Sequence, residues 1–482
     1  LYPVAGEVLA LVLLPQPQGT LVAASLAVVQ TLPVLVPMAM SRTRSRAVDA
    51  ELPFFLIVLS IFSRASSPTI DEGLRKVASL GEGVFPALLA EEAIMERDLT
   101  FLPGSPDSVI EKALGAHPSR KLREFVHSFT ITLTTGKSVT EFVEEEATRQ
   151  VQLLEARWKG FSESVGSLAE VSLMVLALFP VGLDMIAAAI PGVASSQILV
   201  LSLALLTLFS IVLFALIDSA QPVLHNSRPG AWSLVLIVAS WSISTYLFIA
   251  GAVPIGLSLA VPLVVSVLGF LRTRHVFDRI RRGEDEVSLL LHDLAEESKA
   301  GVSLPEALVK VSGRGSALLS IRAPLSAFQQ SIMLGASPEE AQRRISHPSW
   351  LVRLSFGMLS VAFATGAGYE QLERLSIFFR RLSDARRNAS RSLLPFVLIG
   401  VVVPAISVSS MYFLSSFNQG GVPFLPSFTQ VSSGYILVSI SAVSLLTGLL
   451  LSKLLTQTVR HSLAVPLLLT STIVSLLAFG LL

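Results

Sequence analysis

Residues 117–136 read HPSRKLREFVHSFTITLTTG, and residues 347–366 read HPSWLVRLSFGMLSVAFATG. The two segments align without gaps and share six residues in twenty. The shared positions are His117, Pro118, Ser119, Arg123, Thr135 and Gly136 in the first segment, and His347, Pro348, Ser349, Arg353, Thr365 and Gly366 in the second. Because proline disfavours helix at the preceding residue and serine is a good N-cap, each His-Pro-Ser predicts a loop followed by a helix start. A catalytic or metal-binding role for the histidines is the alternative.

Further helix-start signals occur in the same order around both segments. Capping-box patterns occur at Thr69-x-x-Glu72, Ser138-x-x-Glu141 and Ser303-x-x-Glu306. In such a box, side chains accept hydrogen bonds from the free backbone amides of a helix start. The Ser-Pro pairs at 105–106 and 337–338 also predict helix N-termini. The ordered series indicates one all-helical bundle present twice, and sustained strand patterns with hairpin turns do not occur.

The composition indicates a membrane protein. The 482 residues are 52% hydrophobic and 15% charged, with a mean hydropathy of +0.67 and no cysteine, which excludes disulfides and thiolate metal sites. A membrane-spanning helix needs about 20 apolar residues. Such runs occur at 20–40, 168–190, 198–217, 232–250, 253–271, 393–417, 434–452 and 463–482. A partial run at 4–14 after Leu1 predicts a truncated start rather than a signal peptide, and eight or nine spans in total.

The runs and the intervening polar stretches predict a parallel duplication. The predicted order is an N-terminal transmembrane region at 1–40, a cytoplasmic helical bundle at 41–167, four transmembrane helices at 168–271, a second cytoplasmic bundle at 272–392 and three transmembrane helices at 393–482. Of 36 Lys and Arg residues, 15 lie in the first bundle and 18 in the second. The connections at 191–197, 251–252 and 418–433 contain none. By the positive-inside rule both bundles are therefore cytoplasmic.

No catalytic, cofactor or metal site is predicted. TTGKSV at 134–139 resembles the end of a phosphate-binding loop, but Ile131 stands where that loop needs glycine. A helix that ends at Gly136, followed by a Ser138 cap, explains the segment better. Asp184 is the one ionisable residue within an apolar run away from a cytoplasmic end, and no partner for it is evident in another run. The chain is therefore predicted to be neither an enzyme nor a nucleic-acid-binding protein.

Charged residues on the last helix of each bundle are the candidate partner contacts. Arg380, Arg387 and Arg391 fall on one helix face with Asp384, and Arg381 and Arg386 flank them. The corresponding helix of the first bundle carries Glu144, Glu145 and Glu146 instead. Arginines beside a span bind anionic lipid, and docking of a cytoplasmic partner, or of the two helices on each other, is the alternative. The helices at 139–167 and 369–392 are expected to enter their spans without a breaker, and Pro180 and Pro404 are expected to kink those spans.

The segment HPSRKLREFVHSFTITLTTGKSVTEFVEEEA at 117–147 resembles the repeat core of the type II secretion system protein F family, in its archaeal type IV pilus, archaellum and Tad-like branch. In that core a Pro-Ser, an Arg-x-Phe, a Thr-Gly and a glutamate-rich helix follow in this order. The second copy, HPSWLVRLSFGMLSVAFATGAGYEQLERL at 347–375, is similar but lacks the Phe after Arg353 and the acidic run. The resemblance includes the duplication and the membrane layout, and thus most of the chain.

The resemblance implies a non-enzymatic assembly platform in the plasma membrane. The implied partners are a cytoplasmic hexameric secretion ATPase, pilin-like subunits and membrane lipids, with one copy or a homodimer both open. The bundles would receive motion from the ATPase, and the kinked, apolar spans would offer a groove to the pilin helix. A secondary transporter with duplicated halves is the competing class and predicts polar groups clustered at the membrane midplane. A lipid-modifying enzyme would need a cluster of acid, base or metal-binding residues.

Overall fold

A computed structural model describes residues 18–64, 69–81, 83–101, 106–189, 195–222, 225–226, 232–313, 318–419, 433–456, 458 and 464–478. Within these ranges all regular secondary structure is helical and no strand occurs, which confirms the all-α prediction. The expected cap at Ser105, the partial run at 4–14, and most of the connections at 191–197 and 418–433 lie outside the described residues.

The described residues form a series of helices along the chain. They are α1 (Gln18–Ser63), α2 (Ile70–Ser79), α3 (Pro86–Phe101), α4 (Pro106–Gly115), α5 (Arg120–Thr134), α6 (Val139–Ala189), α7 (Ser195–Ala220), α8 (Trp232–Ile249), α9 (Ile255–Lys299), α10 (Leu304–Gly313), α11 (Arg322–Met333), α12 (Pro338–Arg343), α13 (Trp350–Thr365), α14 (Tyr369–Ser392), α15 (Leu394–Gln419), α16 (Ser433–Thr456) and α17 (Ala464–Ala478).

The chain divides into two compact units that do not coincide with the two predicted bundles. Unit 1 contains residues 1–150, 337–343 and 357–367, and unit 2 contains the remainder. Two segments of the predicted second bundle therefore cluster with the first. Contacts between residues that are far apart in the sequence explain this. Lys76 pairs with Glu339, and the Arg343 guanidinium donates to the carbonyl oxygen of Ser79 at 3.0 Å.

The second half of α1 forms the centre of unit 1. Eleven of the fourteen side chains from 48 to 61 are buried, because the sequence LPFFLIVL at 52–59 is apolar around the whole helix and a helix of this kind is stable only inside a core. Phe55 meets Phe125 of α5 edge-on, with ring centroids 6.3 Å apart, and Phe125 stacks on Phe142 of α6 at 6.2 Å. These rings hold α5 and the start of α6 against α1.

Helix α9 connects the apolar and charged parts of unit 2. Its 45 residues extend about 68 Å at 1.5 Å per residue. The first part, 255–271, is apolar, and charged residues begin at Arg272. The helix packs along α14 and also against α8, α10 and α17. One continuous helix, with Pro262 in its apolar part, therefore runs from the apolar helices to the charged ones.

The apolar helices of unit 2 are joined by hydrogen bonds between side chains. In α16, 89% of the most apolar window is buried, so this helix is surrounded by the others. The Trp241 indole donates to Ser441 Oγ at 3.2 Å, and the hydroxyls of Ser444 and Thr472 lie 2.6 Å apart. Small polar residues of this kind are typical of contacts between helices in membranes, where they replace the missing hydrophobic driving force.

Four helices of the described residues are long and apolar enough to cross a membrane, fewer than the eight or nine predicted. They are Trp232–Ile249, Gly256–Lys299, Val438–Thr456 and Tyr369–Ser410, the last of which includes the one-residue interruption at Leu393 between α14 and α15. Helices also occupy the other predicted runs, and the apolar segments with described side chains in α7 and α17 are Ala204–Ala220 and Ala464–Leu477. The side chains of 18–39 lie outside the described residues. The structure thus matches the prediction of apolar transmembrane helices, but not their predicted number.

The two helices that were expected to enter spans without a break differ. Helix α6 is continuous from Val139 to Ala189, as predicted. The expectation for 369–392 is wrong by one residue, because α14 ends at Ser392 and α15 begins at Leu394. Pro395 explains the interruption, since it has no N–H to donate to the Arg391 carbonyl four residues earlier.

Candidate functional site

The first His-Pro-Ser segment forms a compact hydrogen-bonded turn in unit 1. Ser119 is the N-cap of α5, and its Oγ accepts from the Leu122 amide at 3.1 Å. The Ser119 hydroxyl also donates to Asp49. His117 is buried, and its Nδ1 accepts from the Ser119 amide at 3.0 Å. Arg123 closes the turn by donating to the His117 carbonyl oxygen. The predicted loop and cap at Ser119 are confirmed.

The second segment makes the same hydrogen bonds in unit 2. Ser349 Oγ accepts from the Val352 amide at 3.4 Å and donates to Glu284 at 2.9 Å. The Nδ1 of buried His347 accepts from the Ser349 amide at 3.1 Å. Arg353 donates to the His347 carbonyl oxygen. Each histidine therefore stabilises the turn that Pro118 or Pro348 begins.

One buried or half-buried glutamate near each turn holds the start of a neighbouring helix or helical turn. Glu51 accepts from the amides of Ala87 and Leu88 at 2.9 and 2.8 Å. Glu286 accepts from the amides of Ser320 and Ile321 at 2.8 and 3.0 Å. A carboxylate at a helix start accepts hydrogen bonds from amides that have no partner within the helix. Its negative charge also interacts favourably with the positive end of the helix dipole. We call the contacts around His117 the first cluster and those around His347 the second cluster.

The two clusters differ in charge. In the first, Arg44 donates two hydrogen bonds of 2.6 Å to buried Glu91, and His117 Nε2 lies 3.2 Å from the same carboxylate. Burial alone would raise the pKa of Glu91, but these two partners outweigh it and lower the pKa to about 2. Glu91 lies three residues after Leu88. The residue three places after Ile321 is Pro324, so the second cluster has no carboxylate at this position.

His347 consequently lies in an apolar and positively charged environment. Burial lowers its pKa to about 4, and the charges of Arg279 and Arg353 act in the same direction. Gly283 of α9 leaves the space that the imidazole occupies, because a Cβ there would lie 2.8 Å from His347 Cε1. The ring is therefore neutral at physiological pH and closely packed.

Residues 225–226 also contribute to the second cluster, which the sequence did not indicate. The Asn226 Oδ1 accepts from the Trp350 amide at 2.8 Å, and the His225 carbonyl oxygen accepts from Arg353 at 3.0 Å. The rings of His225 and Trp350 meet edge-on at 5.2 Å. No local pattern around 225 could have predicted these contacts, because their partners lie more than 120 residues away.

The Thr-Gly pairs end the helices that the clusters begin. Gly136 and Gly366 have φ values of +69° and +64°, which favour glycine because a Cβ is strained there. After α5, the Gly136 and Lys137 amides donate to the carbonyls of Leu133 and Thr132, both at 3.3 Å. This is the Schellman pattern of a helix C-terminus. The interpretation of TTGKSV as a helix end is confirmed, and Ser138 Oγ accepts from the Glu141 amide at 3.3 Å.

The acidic run of α6 is mostly engaged within unit 1. Glu144 pairs with Arg64 at 2.5 Å. Glu146 is buried, accepts from Gln150 at 2.9 Å and pairs with Arg149 at 2.6 Å. Glu145 is exposed, so it is the residue of this run whose side chain is most accessible to a partner.

Most of the arginines of α14 point to solvent. Arg380, Arg381, Arg387 and Arg391 are exposed. Arg386 is turned inward, where it pairs with Glu284 and lies 5.6 Å from the ring centroid of Trp158. Since Glu284 also accepts from Ser349, the second cluster and the arginine-rich helix share one carboxylate.

An ion pair at the ends of two apolar helices was missed by the sequence analysis. Lys453 of α16 donates to Asp218 of α7 at 2.8 Å, and the lysine side chain is 9% exposed. Its ammonium also lies 6.0 Å from the Phe214 ring centroid. A signal was present, because each of these two charged residues directly follows an apolar run.

The predicted kink sites lie inside helices. Pro180 lies within α6 and Pro404 within α15. The side chains of Pro180 and Asp184 are outside the described residues. The kinks and the role of Asp184 stay predictions.

Comparisons of the chain with protein-family models, with curated proteins and with solved structures find no match.

Proposed function

We propose that this chain is a multi-pass assembly platform of the plasma membrane, which couples a cytoplasmic hexameric secretion ATPase to the insertion of pilin-like subunits into a filament. In this proposal the eight or nine apolar runs are all spans, and 41–167 and 272–392 are duplicated cytoplasmic bundles. In this proposal the chain binds its partners and transmits motion between them but does not catalyse a reaction. Its two histidine clusters have a structural role, because each histidine accepts a hydrogen bond within its own turn.

The observation that carries the proposal is the unbroken helix α9. Its length of about 68 Å is about twice the 30 Å thickness of the hydrocarbon core. The apolar part, 255–271, is about 26 Å long, which is at the lower limit for a membrane span, and the part after Arg272 extends into water. There it packs along α14, which presents the exposed arginines. A force on α14 or on the charged half of α9 would be transmitted to the apolar half.

The outer apolar helices offer a surface for a pilin helix. Only 11% of the apolar window of α8 is buried, and Leu236, Ile243 and Tyr246 are among its exposed side chains. Such a surface contacts lipid tails or another apolar helix equally well. A subunit could therefore leave the bilayer along this face without crossing a charged barrier.

Purification of the complex from native membranes tests the proposal. We expect the full chain, extracted in a mild detergent, to carry with it a hexameric ATPase and small proteins with one apolar N-terminal helix. A chain that comes without an ATPase but supports substrate-dependent flux in vesicles would refute the platform and favour the duplicated transporter.

Interruption of α9 tests the mechanical coupling. A short glycine insertion after Thr273 should abolish filament assembly while the ATPase still binds, because glycine breaks the helix between its apolar and charged parts. The matched control is the same insertion between Gly251 and Ala252, in a turn where both residues are exposed, and it should assemble filaments. Normal assembly with the Thr273 insertion would refute force transmission through α9.

A further inference from the structure

A cavity in unit 2 lies where three apolar helices meet the charged part of the chain. It occupies about 210 Å³ between α9, α14, the start of α15 and the end of α16. Its position follows from the sequence: α9 becomes charged after Leu271, α15 becomes apolar after Leu393, and α16 ends at Thr456. The cavity therefore lies at the boundary between apolar and charged segments, which in the proposed topology is the level of a membrane surface.

The polar side of the cavity is positively charged. Four of its lining residues are arginines, namely Arg281, Arg386, Arg387 and Arg391, and two are acids, Glu284 and Asp285. Both acids already have partners inside the protein. Glu284 binds Ser349 and Arg386, and Asp285 accepts from Ser383 at 2.8 Å.

The arginines retain unused donors. The Nε of Arg386 is buried without a hydrogen-bond partner in the described part of the chain. Within that same part, Arg281, Arg387 and Arg391 form no ion pair and are exposed at the mouth. A buried donor without a partner costs free energy that a bound acceptor would recover. The cavity therefore has donors for an anion with several oxygen atoms.

The other side of the cavity is apolar. Phe277 and Ile280 come from α9, Leu394 from α15 and Leu455 from α16. An inorganic anion would gain nothing from these side chains. An amphiphile that carries its charge beside a hydrocarbon chain would contact both sides at once, since buried apolar area and electrostatic attraction add.

We propose that this cavity binds the phosphate headgroup of an anionic phospholipid from the cytoplasmic leaflet, with the start of an acyl chain against the apolar side. Arg387 and Arg391 receive the phosphate at the mouth, and the Nε of Arg386 donates from inside. The lipid would hold α14 against the ends of the spans. This inference rests on the proposed membrane topology but not on the identity of any protein partner.

Native mass spectrometry of the full chain in a nonionic detergent tests the site. Added phosphatidylglycerol should occupy one site, whereas phosphatidylcholine, which has no net charge, should bind far more weakly. Replacement of the two mouth arginines of α14 (Arg387→Gln with Arg391→Gln) should raise the half-saturating lipid concentration roughly 30-fold, as expected for two basic residues near a membrane surface.

The control is an equal loss of charge on the same helix outside the cavity. Arg380→Gln with Arg381→Gln removes two exposed arginines of α14 that do not line the cavity and should leave lipid binding unchanged. Equal weakening by both double variants would refute a defined site in favour of general surface attraction. Inorganic phosphate should not displace the lipid, and displacement at similar concentrations would refute the lipid and indicate a free anion. Unchanged helical content by circular dichroism verifies that each variant is folded.

Discussion

Replacement of Glu91 by glutamine should destabilise the protein strongly at neutral pH. The carboxylate is buried, receives two hydrogen bonds of 2.6 Å from Arg44 and lies 3.2 Å from His117. Its pKa falls from an ordinary 4.5 to about 2, and each pH unit of this difference corresponds to about 1.4 kcal/mol. The ionised group thus contributes about 3 kcal/mol, and Glu91→Gln should lower the thermal unfolding midpoint of the full chain in detergent by several degrees.

The pH dependence of this loss checks its cause. Because the folded pKa is below the unfolded one, the contribution is complete above about 4.5 and disappears as the pH falls toward about 2. The midpoints of wild type and Glu91→Gln should therefore converge in acid. The control is Glu92→Gln: burial raises the pKa of this neighbouring glutamate, so its neutral replacement should be harmless or slightly stabilising at neutral pH. A pH-independent difference for Glu91→Gln, or equal losses in both variants, would refute the ionic origin.

Three further predictions concern the turns and the second cluster. Gly283→Ala should lower the unfolding midpoint, because its Cβ would lie 2.8 Å from the His347 ring. Gly160→Ala, whose Cβ would have no atom within 4 Å, should instead increase the free energy of unfolding by about 0.5–1 kcal/mol and raise the midpoint. The opposite order of midpoints would refute the close packing at Gly283. Ser119→Ala should cost about 1 kcal/mol in the same assay through the lost cap, and no change would contradict a role in the turn. Stability should fall between pH 6.5 and about 4 because only the unfolded chain protonates His347 there; His347→Asn, which keeps an acceptor for Ser349, should show a smaller fall.

Hydrogen bonds between residues close together in the chain were predictable from the sequence. The capping box at Thr69 and Glu72 is present in full, and Ser119 and Gly136 begin and end one helix as expected. In each case donor and acceptor are within five residues of each other. The residue types and their spacing therefore determine the contact before any tertiary structure is known.

Contacts between distant residues were not predictable, and they determine the arrangement of the clusters and units. Glu91 lies 47 residues from Arg44, and neither residue stands in a distinctive pattern. The assignment of 337–343 and 357–367 to unit 1 likewise depends on pairing across more than 200 residues. The break before Leu394 is different, because Pro395 was visible in the sequence and the proline rule predicts it.

The two clusters separate what the turn requires from what it allows. Both keep the histidine Nδ1 acceptor, the serine cap, the arginine donor and a carboxylate that receives the serine hydroxyl, so this geometry is sufficient to build the turn. The turn geometry does not determine which charged group lies near the rest of the imidazole. Glu91 faces Nε2 of His117 in the first cluster, whereas the positive charge of Arg279 acts on His347 in the second. Because the carboxylate of the second turn, Glu284, also binds Arg386 of α14, a change in the charge of the arginine-lined cavity reaches the second cluster directly. In the first turn the serine hydroxyl donates to Asp49 instead. It is therefore the second turn whose carboxylate, Glu284, also contacts the arginine-rich helix α14.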